Sequence, residues 1–459
     1  MQFLDLFIVG LSLFMFILLL NKNKLNQKII LFFMIFTVIG LIIHSSFGHA
    51  KWQLFPLLLF WILFILFDLL KPSRKIFKVL FIVISTLSIF LSLGFLYAFP
   101  AYEIPDPRGS YPIGQFIFYI EDEDRLELYT DDTMDIRKFT FTMWYPAHNT
   151  PSKEPLPWIQ NNDISKRLST SIGLPSFVLN QINDIESNAY WFPLMSNEEE
   201  TYPVVIISHG WGGFMYLHTD LAEELASQGY IVISIDHTYG SVATKFQDEI
   251  VFQNLDALPD RSESHFLDAA NQLVYTYAGD VSKTLDYLEE ENSDISSFFY
   301  GKLDLDHIGL IGHSTGGGAD VAVALNDDRI TALIGLDAWV EPILNEDIVR
   351  GLDMPALFLR SETWETGFNN AHLYDLILAS NQASLYQIQG TTHSDFTMAY
   401  MFSPLMRLIG YTGSLDKEYL VDMQKDIMIL FFDEHLKGVI RENIDLSAYD
   451  ELTWIDITA

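Results

Sequence analysis

Covalent chemistry in this chain centres on one serine, framed by small residues in Gly312-His313-Ser314-Thr315-Gly316-Gly317-Gly318. The pattern is G-x-S-x-G, and its flanks give it meaning. Asp306 to Ile311 before it reads as a short buried strand, and Ala319 to Asn326 after it as the start of a helix. A serine on a tight strand-to-helix turn carries its hydroxyl at the apex on strained backbone. Small residues two before and two after let neighbouring backbones approach. Without such flanks G-x-S-x-G is an ordinary glycine-serine turn; with them Ser314 is a candidate nucleophile.

A serine hydroxyl is a poor nucleophile alone. It needs a base to take its proton, a carboxylate to orient that base, and backbone N–H groups facing the developing oxyanion. Behind a nucleophile turn of this kind the chain order is serine, acid, histidine. His393 is the candidate base, on a loop just after the apolar run Ser384–Ile388. His372 and His435 fall within helical stretches and are set aside. The acid has two candidate places. Asp337 directly follows the strand-like Ile330–Leu336, and Glu362 and Glu365 follow the strand-like Ala356–Arg360. The oxyanion donors are expected from the residue after the nucleophile, Thr315, and from the early loop Ser208-His209-Gly210-Trp211-Gly212-Gly213, with Trp211 N–H as the second donor. His209, at the end of an early strand, reads as an anchor of that loop.

The elements that must position these groups follow from the pattern. Gly114–Ile120 and Phe139–Tyr145 read as strands, and Thr150–Thr201 as a long irregular insertion that could form a rim or lid. From Pro203 the chain becomes regular. Strands at Pro203–Ser208, Tyr230–Asp236, Ile308–Gly312, Ile330–Leu336, Ala356–Arg360 and Ser384–Ile388 alternate with helices. These helices are read at His218–Ser227, Asp280–Glu291, Gly316–Leu325, Asn369–Ala379 and Asp416–Leu436. Apolar strands alternating with helices imply an α/β fold, with a mostly parallel central sheet covered by helices on both faces. No phosphate-binding glycine loop or internal repeat is present.

The 459 residues join two compositions near Pro100. Residues 1–100 hold two acids, Asp5 and Asp68, and eight bases; taken from the chain's 60 acids and 27 bases, these leave the remainder 58 and 19, a net charge of −39. Four apolar runs, Phe3–Leu20, Ile29–Phe47, Leu54–Leu70 and Val79–Phe99, are each close to the roughly 20 residues that cross a bilayer core. Four transmembrane helices are therefore expected over 1–100, a linker over 101–112 and the catalytic domain over 113–459. The lysines of Asn21–Lys28 and the four bases of Lys71–Lys78 outnumber the single Lys51 of the middle loop. The positive-inside rule then places both ends of the segment, and the acidic domain, on the outer side of the membrane. That acidity argues against nucleic acid as a partner. The absence of cysteine excludes disulfides and thiolate zinc. No cofactor or metal is expected.

Together, Met143-Trp144-Tyr145-Pro146, Ser208-His209-Gly210, Ile311-Gly312-His313-Ser314, Leu336-Asp337-Ala338-Trp339, His393 and Phe431-Phe432-Asp433 resemble the platelet-activating factor acetylhydrolase family within the α/β-hydrolases. The resemblance spans roughly residues 113–437 in the family's order and excludes the apolar runs. It implies Asp337 as the acid. It also implies serine-dependent, calcium-independent hydrolysis of an ester, in that family often a short sn-2 acyl group of a phospholipid. The expected protein is a membrane-anchored serine ester hydrolase whose substrate is a small-molecule or lipid ester and whose surroundings are membrane lipid. Two other readings stay open: an acyltransferase or peptidase on the same triad, and a membrane sensor with a ligand-binding hydrolase-like domain.

Overall fold

The computed structural model describes residues 3–20, 51–70, 73–149, 154–364 and 367–458, with Phe32, Ile35, Thr37 and Ile39 singly. It divides into two compact units. One contains residues 1–103, 165–185 and 401–405, the other residues 104–164, 186–400 and 406–459.

The first unit is built on helices at Phe3–Leu20, Phe55–Leu70 and Lys75–Ala98. Met15, Leu57, Phe60, Phe64 and Ile89 pack between them. The outward faces are apolar as well, with Phe14, Leu66, Val83 and Phe90 exposed. Where the polar junctions meet, Lys51 pairs with the buried Asp5 at 2.7 Å. Trp52 packs on Phe95, Phe99 and Phe177, and its indole N–H donates to the Val178 carbonyl at 3.1 Å. Part of the Thr150–Thr201 stretch, read as irregular, is thus a folded component of this unit. It includes residues 165–171 of a helix that runs Asn162–Ser171, where Ser169 both bonds back to Ser165 and receives the Leu179 N–H.

Four membrane spans were expected. Among the described residues one helix, Lys75–Ala98, is long and apolar enough to cross a membrane. The apolar helices at Asp5–Leu18 and Trp52–Phe67 are shorter, the latter starting as a single 3-10 turn after Lys51. The expected span Ile29–Phe47 lies outside the described residues apart from four positions.

The second unit is a ten-stranded sheet. Its strands in chain order are β1 (Ile113–Leu126), β2 (Ile136–Pro146), β3 (Ala189–Trp191), β4 (Tyr202–Ser208) and β5 (Ile231–Asp236). A small separate hairpin, β6 (Ala243–Lys245) and β7 (Ile250–Phe252), follows. The sheet resumes with β8 (Leu303–His313), β9 (Ile330–Leu336), β10 (Ala356–Ser361), β11 (Ala383–Ile388) and β12 (Leu452–Trp454). The order across the sheet is β12-β11-β10-β9-β8-β4-β5-β2-β1-β3. The six strands from β11 to β5 run parallel, with antiparallel β2 and β1 on one side and antiparallel β12 on the other. Val204, Ile206, Leu310 and Leu333 in the centre are fully buried, as a sheet covered on both faces requires. A helix read as Asp280–Glu291 begins much earlier and runs Phe266–Ser293. Its earlier turns bury Ala270, Leu273, Val274 and Tyr277 on one face.

One buried ion cluster ties this helix to the sheet. Arg137 on β2 is 1% exposed and pairs with Asp280 at 2.6 Å and with Glu127 at 2.8 Å. Arg125 also reaches Asp280, at 2.7 Å. Arg137 further donates to the Thr238 carbonyl, and the His237 ring nitrogen Nδ1 donates to Asp280, so the loop after β5 hangs on the same carboxylate. Burial alone would raise the pKa of Asp280. The Arg137 charge and its hydrogen bonds outweigh burial and hold the carboxyl far below the usual range. The stability this contributes is present above the ordinary carboxylate range and is lost as pH falls through and below it. Asp280→Ala should cost about 3–5 kcal/mol in denaturant unfolding because it strands a buried guanidinium. Arg329→Ala, at a residue whose pairs with Asp286, Glu289 and Asp327 are more exposed, should cost about 1 kcal/mol or less. Equal losses would mean that the cluster is not a keystone.

Candidate active site

The carboxyl ends of adjacent parallel strands carry the candidate residues, which is where open α/β sheets place their sites. β8 ends at His313 and β9 at Leu336, and these two residues are register partners. Ser314 and Asp337 therefore leave neighbouring strands at the same level. Both have left-handed backbone, φ 55° at Ser314 and φ 44° at Asp337. Such conformations cost non-glycine residues about 1–3 kcal/mol each and need support. The Ser314 N–H donates to Leu336 O at 3.0 Å, and the Ser314 carbonyl accepts from Gly318 N–H at 3.1 Å and Trp339 N–H at 2.9 Å. Asp337 N–H donates to Leu359 O on β10 at 2.8 Å. The turn is closed by contacts that only glycine permits. A Cβ on Gly316 would lie 2.3 Å from the Ser208 carbonyl oxygen, and one on Gly312 would lie 2.4 Å from the Gly317 Cα.

Asp337 and His393 meet. The His393 Nδ1–H donates to Asp337 Oδ2 at 2.9 Å. The same carboxylate accepts Ser361 N–H at 2.7 Å and the Ser361 hydroxyl at 2.6 Å. His393 sits in a short 3-10 turn, His393–Phe396, closed by a reciprocal cap between Thr392 and Asp395. Asp395 also accepts Gly413 N–H at 2.7 Å, and its carbonyl accepts from the Gln424 amide at 2.9 Å. The neighbour of the serine takes part too: the His313 Nε2–H donates to the His393 carbonyl at 3.0 Å. Burial, and then the nearby His393, hold the pKa of His313 well below its ordinary value, so it is a neutral donor at physiological pH. Among the described residues the Ser314 hydroxyl makes no hydrogen bond. Catalytic hydrogen bonds of this kind are often long in unliganded enzymes.

The early loop is fixed from its inner side. The His209 Nδ1–H donates to the Gly210 carbonyl at 2.8 Å, and its Nε2 lies 3.3 Å from the His237 N–H, which donates to it. Gly213 N–H donates to the same Gly210 oxygen. In a trans peptide the N–H points opposite to the C=O. The Trp211 N–H is therefore turned away from His209. A Cβ on Gly210 would lie 2.9 Å from the Ser314 Cβ, which measures how closely this loop approaches the serine. The Trp211 indole N–H, 3.2 Å away, and the Gly212 N–H, 3.1 Å away, are satisfied by the Gln253 amide oxygen when it faces them. Thr315 is buried at the first turn of the helix Thr315–Ala324.

The alternative acids are elsewhere. Glu362 accepts the Gly390 N–H at 2.7 Å, and Glu365 lies outside the described residues. His372 and His435 lie in helices, with His372 bonded to Phe368 and Asn345 and His435 packed on Phe431. Sequence reasoning did not find Ser361, the structural role of His313, or Trp364, whose ring lies 3.9 Å from that of His393. It also missed Asp320. This carboxyl is fully buried beneath the serine turn; Oδ1 accepts from the Ser208 hydroxyl at 2.7 Å, and Oδ2 has no partner among the described residues. Burial, opposed by the Ser208 hydrogen bond, pushes its pKa up to about 8. The folded protein therefore holds a proton there that the unfolded chain releases near pH 4, and stability falls as pH rises from about 4 to 8. Asp320→Asn should remove that slope. Its stability relative to the parent should rise between pH 5 and pH 8 and level off above, as read from melting temperatures across pH; parallel profiles would show that Asp320 is ionised.

The sheet and its site have relatives. A sequence profile of the family described as platelet-activating factor acetylhydrolase, isoform II, matches residues 96–450. The platelet-activating factor acetylhydrolase of Cavia porcellus is 24% identical over 357 residues, covering 72% of this chain and 78% of the relative. That of Canis lupus familiaris is 26% identical over 365 residues, covering 72% and 77%. A cutinase of Thermobifida alba is 27% identical over 199 residues, 43% of this chain and 55% of the cutinase. Among solved structures a ferulic acid esterase from Streptomyces cinnamoneus superposes with a TM-score of 0.64 at 22% identity, over 78% of this chain and 100% of that one, and shows the same fold. The chain belongs to the platelet-activating factor acetylhydrolase isoform II family and is an ester-cleaving hydrolase.

Proposed function

We propose that the protein is a membrane-held serine esterase that cleaves short acyl esters of phospholipids through an acyl-enzyme. Ser314 attacks the acyl carbonyl while His393 takes its proton. Asp337 keeps the imidazole in the Nδ1–H tautomer and balances the cation, and the Trp211 and Thr315 N–H groups receive the oxyanion. His393 then passes the proton to the leaving alcohol, and water releases the acid by the same steps in reverse. The observation that carries this reading is the Asp337–His393 hydrogen bond, set beside a strained serine on the next strand. Family membership supports the ester, and the relatives' names support a phospholipid with a short acyl group. The apolar helices support the membrane anchor, with the catalytic unit facing outward as the lysine distribution suggests.

Ser314→Ala should abolish fluorophosphonate labelling and lower turnover by several powers of ten. Undiminished labelling would reject the nucleophile. Asp337→Asn should cost roughly three to four powers of ten by disrupting the imidazole tautomer, while Glu362→Gln, which keeps its acceptor, should cost little. The reverse ranking would move the acid to β10. A product assay with water against added alcohols separates hydrolysis from acyl transfer. For topology, protease added to intact cells should degrade the catalytic unit; protection until the membrane is breached would place that unit inside.

A further inference from the structure

The turn after β10 is a common place for the acid in α/β sheets of this type, yet here Asp337 sits one strand earlier. The turn is nevertheless engaged with both partners of the pair. Ser361 binds Asp337 through its N–H and its hydroxyl, at 2.7 and 2.6 Å. Glu362 accepts the Gly390 N–H of the loop that carries His393. Trp364 lays its indole on the His393 imidazole, with ring centroids 3.9 Å apart and planes 16° from parallel. An imidazole held by a single hydrogen bond at Nδ1 can still rotate about that bond. A flat ring against its face removes this freedom. The indole face is also electron-rich and favours a cation lying on it. The imidazole becomes a cation only when it has taken the serine proton, so the contact stabilises the transition state more than the resting state.

Building on the triad reading above, we propose that the Ser361–Trp364 turn is the positioning element of the acid–base pair. Ser361 fixes the carboxylate, and Trp364 fixes the plane of His393 and stabilises its protonated form. Among the described residues, the other titratable groups around His393 are Asp337 on Nδ1, His313 with its ring centre 4.5 Å away, Glu362 on the Gly390 N–H, and Asp395, held by Thr392 and Gly413.

The test uses the full-length protein and a soluble short-chain ester. Trp364→Leu should lower kcat about fivefold and leave KM within twofold. Fluorophosphonate labelling followed against pH should show its acid limb moved to lower pH by about half a unit, because the protonated base has lost a favourable neighbour. Trp364→Phe should recover more than half of both effects. If Trp364→Leu fails to fold, as judged by circular dichroism, the smaller displacement of the acid limb in Trp364→Phe carries the test alone. An unmoved acid limb in the folded variants, or a change confined to KM that varies with the leaving alcohol, would overturn the proposal and make Trp364 a wall of the substrate pocket. His393→Ala separates the two readings. Full activity there would sink the triad itself, whereas its loss together with an unaffected Trp364→Leu would sink only this inference.

Discussion

The serine turn and the loop that carries Asp337 meet at one carbonyl. Ser314 O accepts the Gly318 N–H of the following helix and the Trp339 N–H of the loop that carries Asp337. Those two bonds, each worth about 1 kcal/mol net, help hold a serine in backbone that costs about as much or more. They also tie the Ser314 turn to the loop that carries Asp337. The packing around them leaves no room for side chains at Gly312 or Gly316. The glycine-rich sequence is the condition for that closeness: it lets Ser208 and the early loop approach the serine, and it brings β8 and β9 to a common edge.

The early loop is held from a different direction. His209 grips the Gly210 carbonyl, and the His237 N–H grips His209. His237 in turn stacks on Tyr277 and bonds Asp280, which neutralises the buried Arg137. A charge pair under β2 is thereby connected, through the rings of His237 and His209, to the peptide proposed to receive the oxyanion. Gly212 N–H on Gly240 O and Val242 N–H on Gly213 O add backbone links between the same two loops. The position of the early loop therefore rests on core electrostatics as well as on local turns.

The parallel strands were legible because each is a continuous apolar run, and Ser314 and His393 stood out because each follows such a run in the expected order. Asp337 shared that position with Glu362 and Glu365 and was singled out only by the family resemblance. What was illegible depends on register. Ser361 looks like any strand-end serine until β10 is paired so that it faces Ile388 at the end of β11 and reaches Asp337. Trp364 lies two residues beyond Glu362, whose charge drew the attention of sequence reasoning, and its value comes only from a ring 29 positions later. β12 has three residues in an acidic tail, too few to show alternation, and is defined by its antiparallel partner. The start of the helix at Phe266 was missed because Asn271, Gln272 and Tyr275 interrupt its apolar pattern when read residue by residue.

The division of the chain into units has an evolutionary and practical side. The N-terminal helices share their unit with residues 165–185 and 401–405, so the chain passes between the two units at five places: after Glu103, Ile164, Ile185, Tyr400 and Leu405. A protein joined end to end from an anchor and an enzyme would show one crossing. Here Phe177 and Val178, from the middle of the chain, complete the surroundings of Trp52 near its beginning. Removing the first hundred residues would take Trp52 away from Phe177 and Val178, so the N-terminal helices cannot be exchanged as a module. Any change in these helices would have to be matched by change in residues 165–185, within the hydrolase sequence itself.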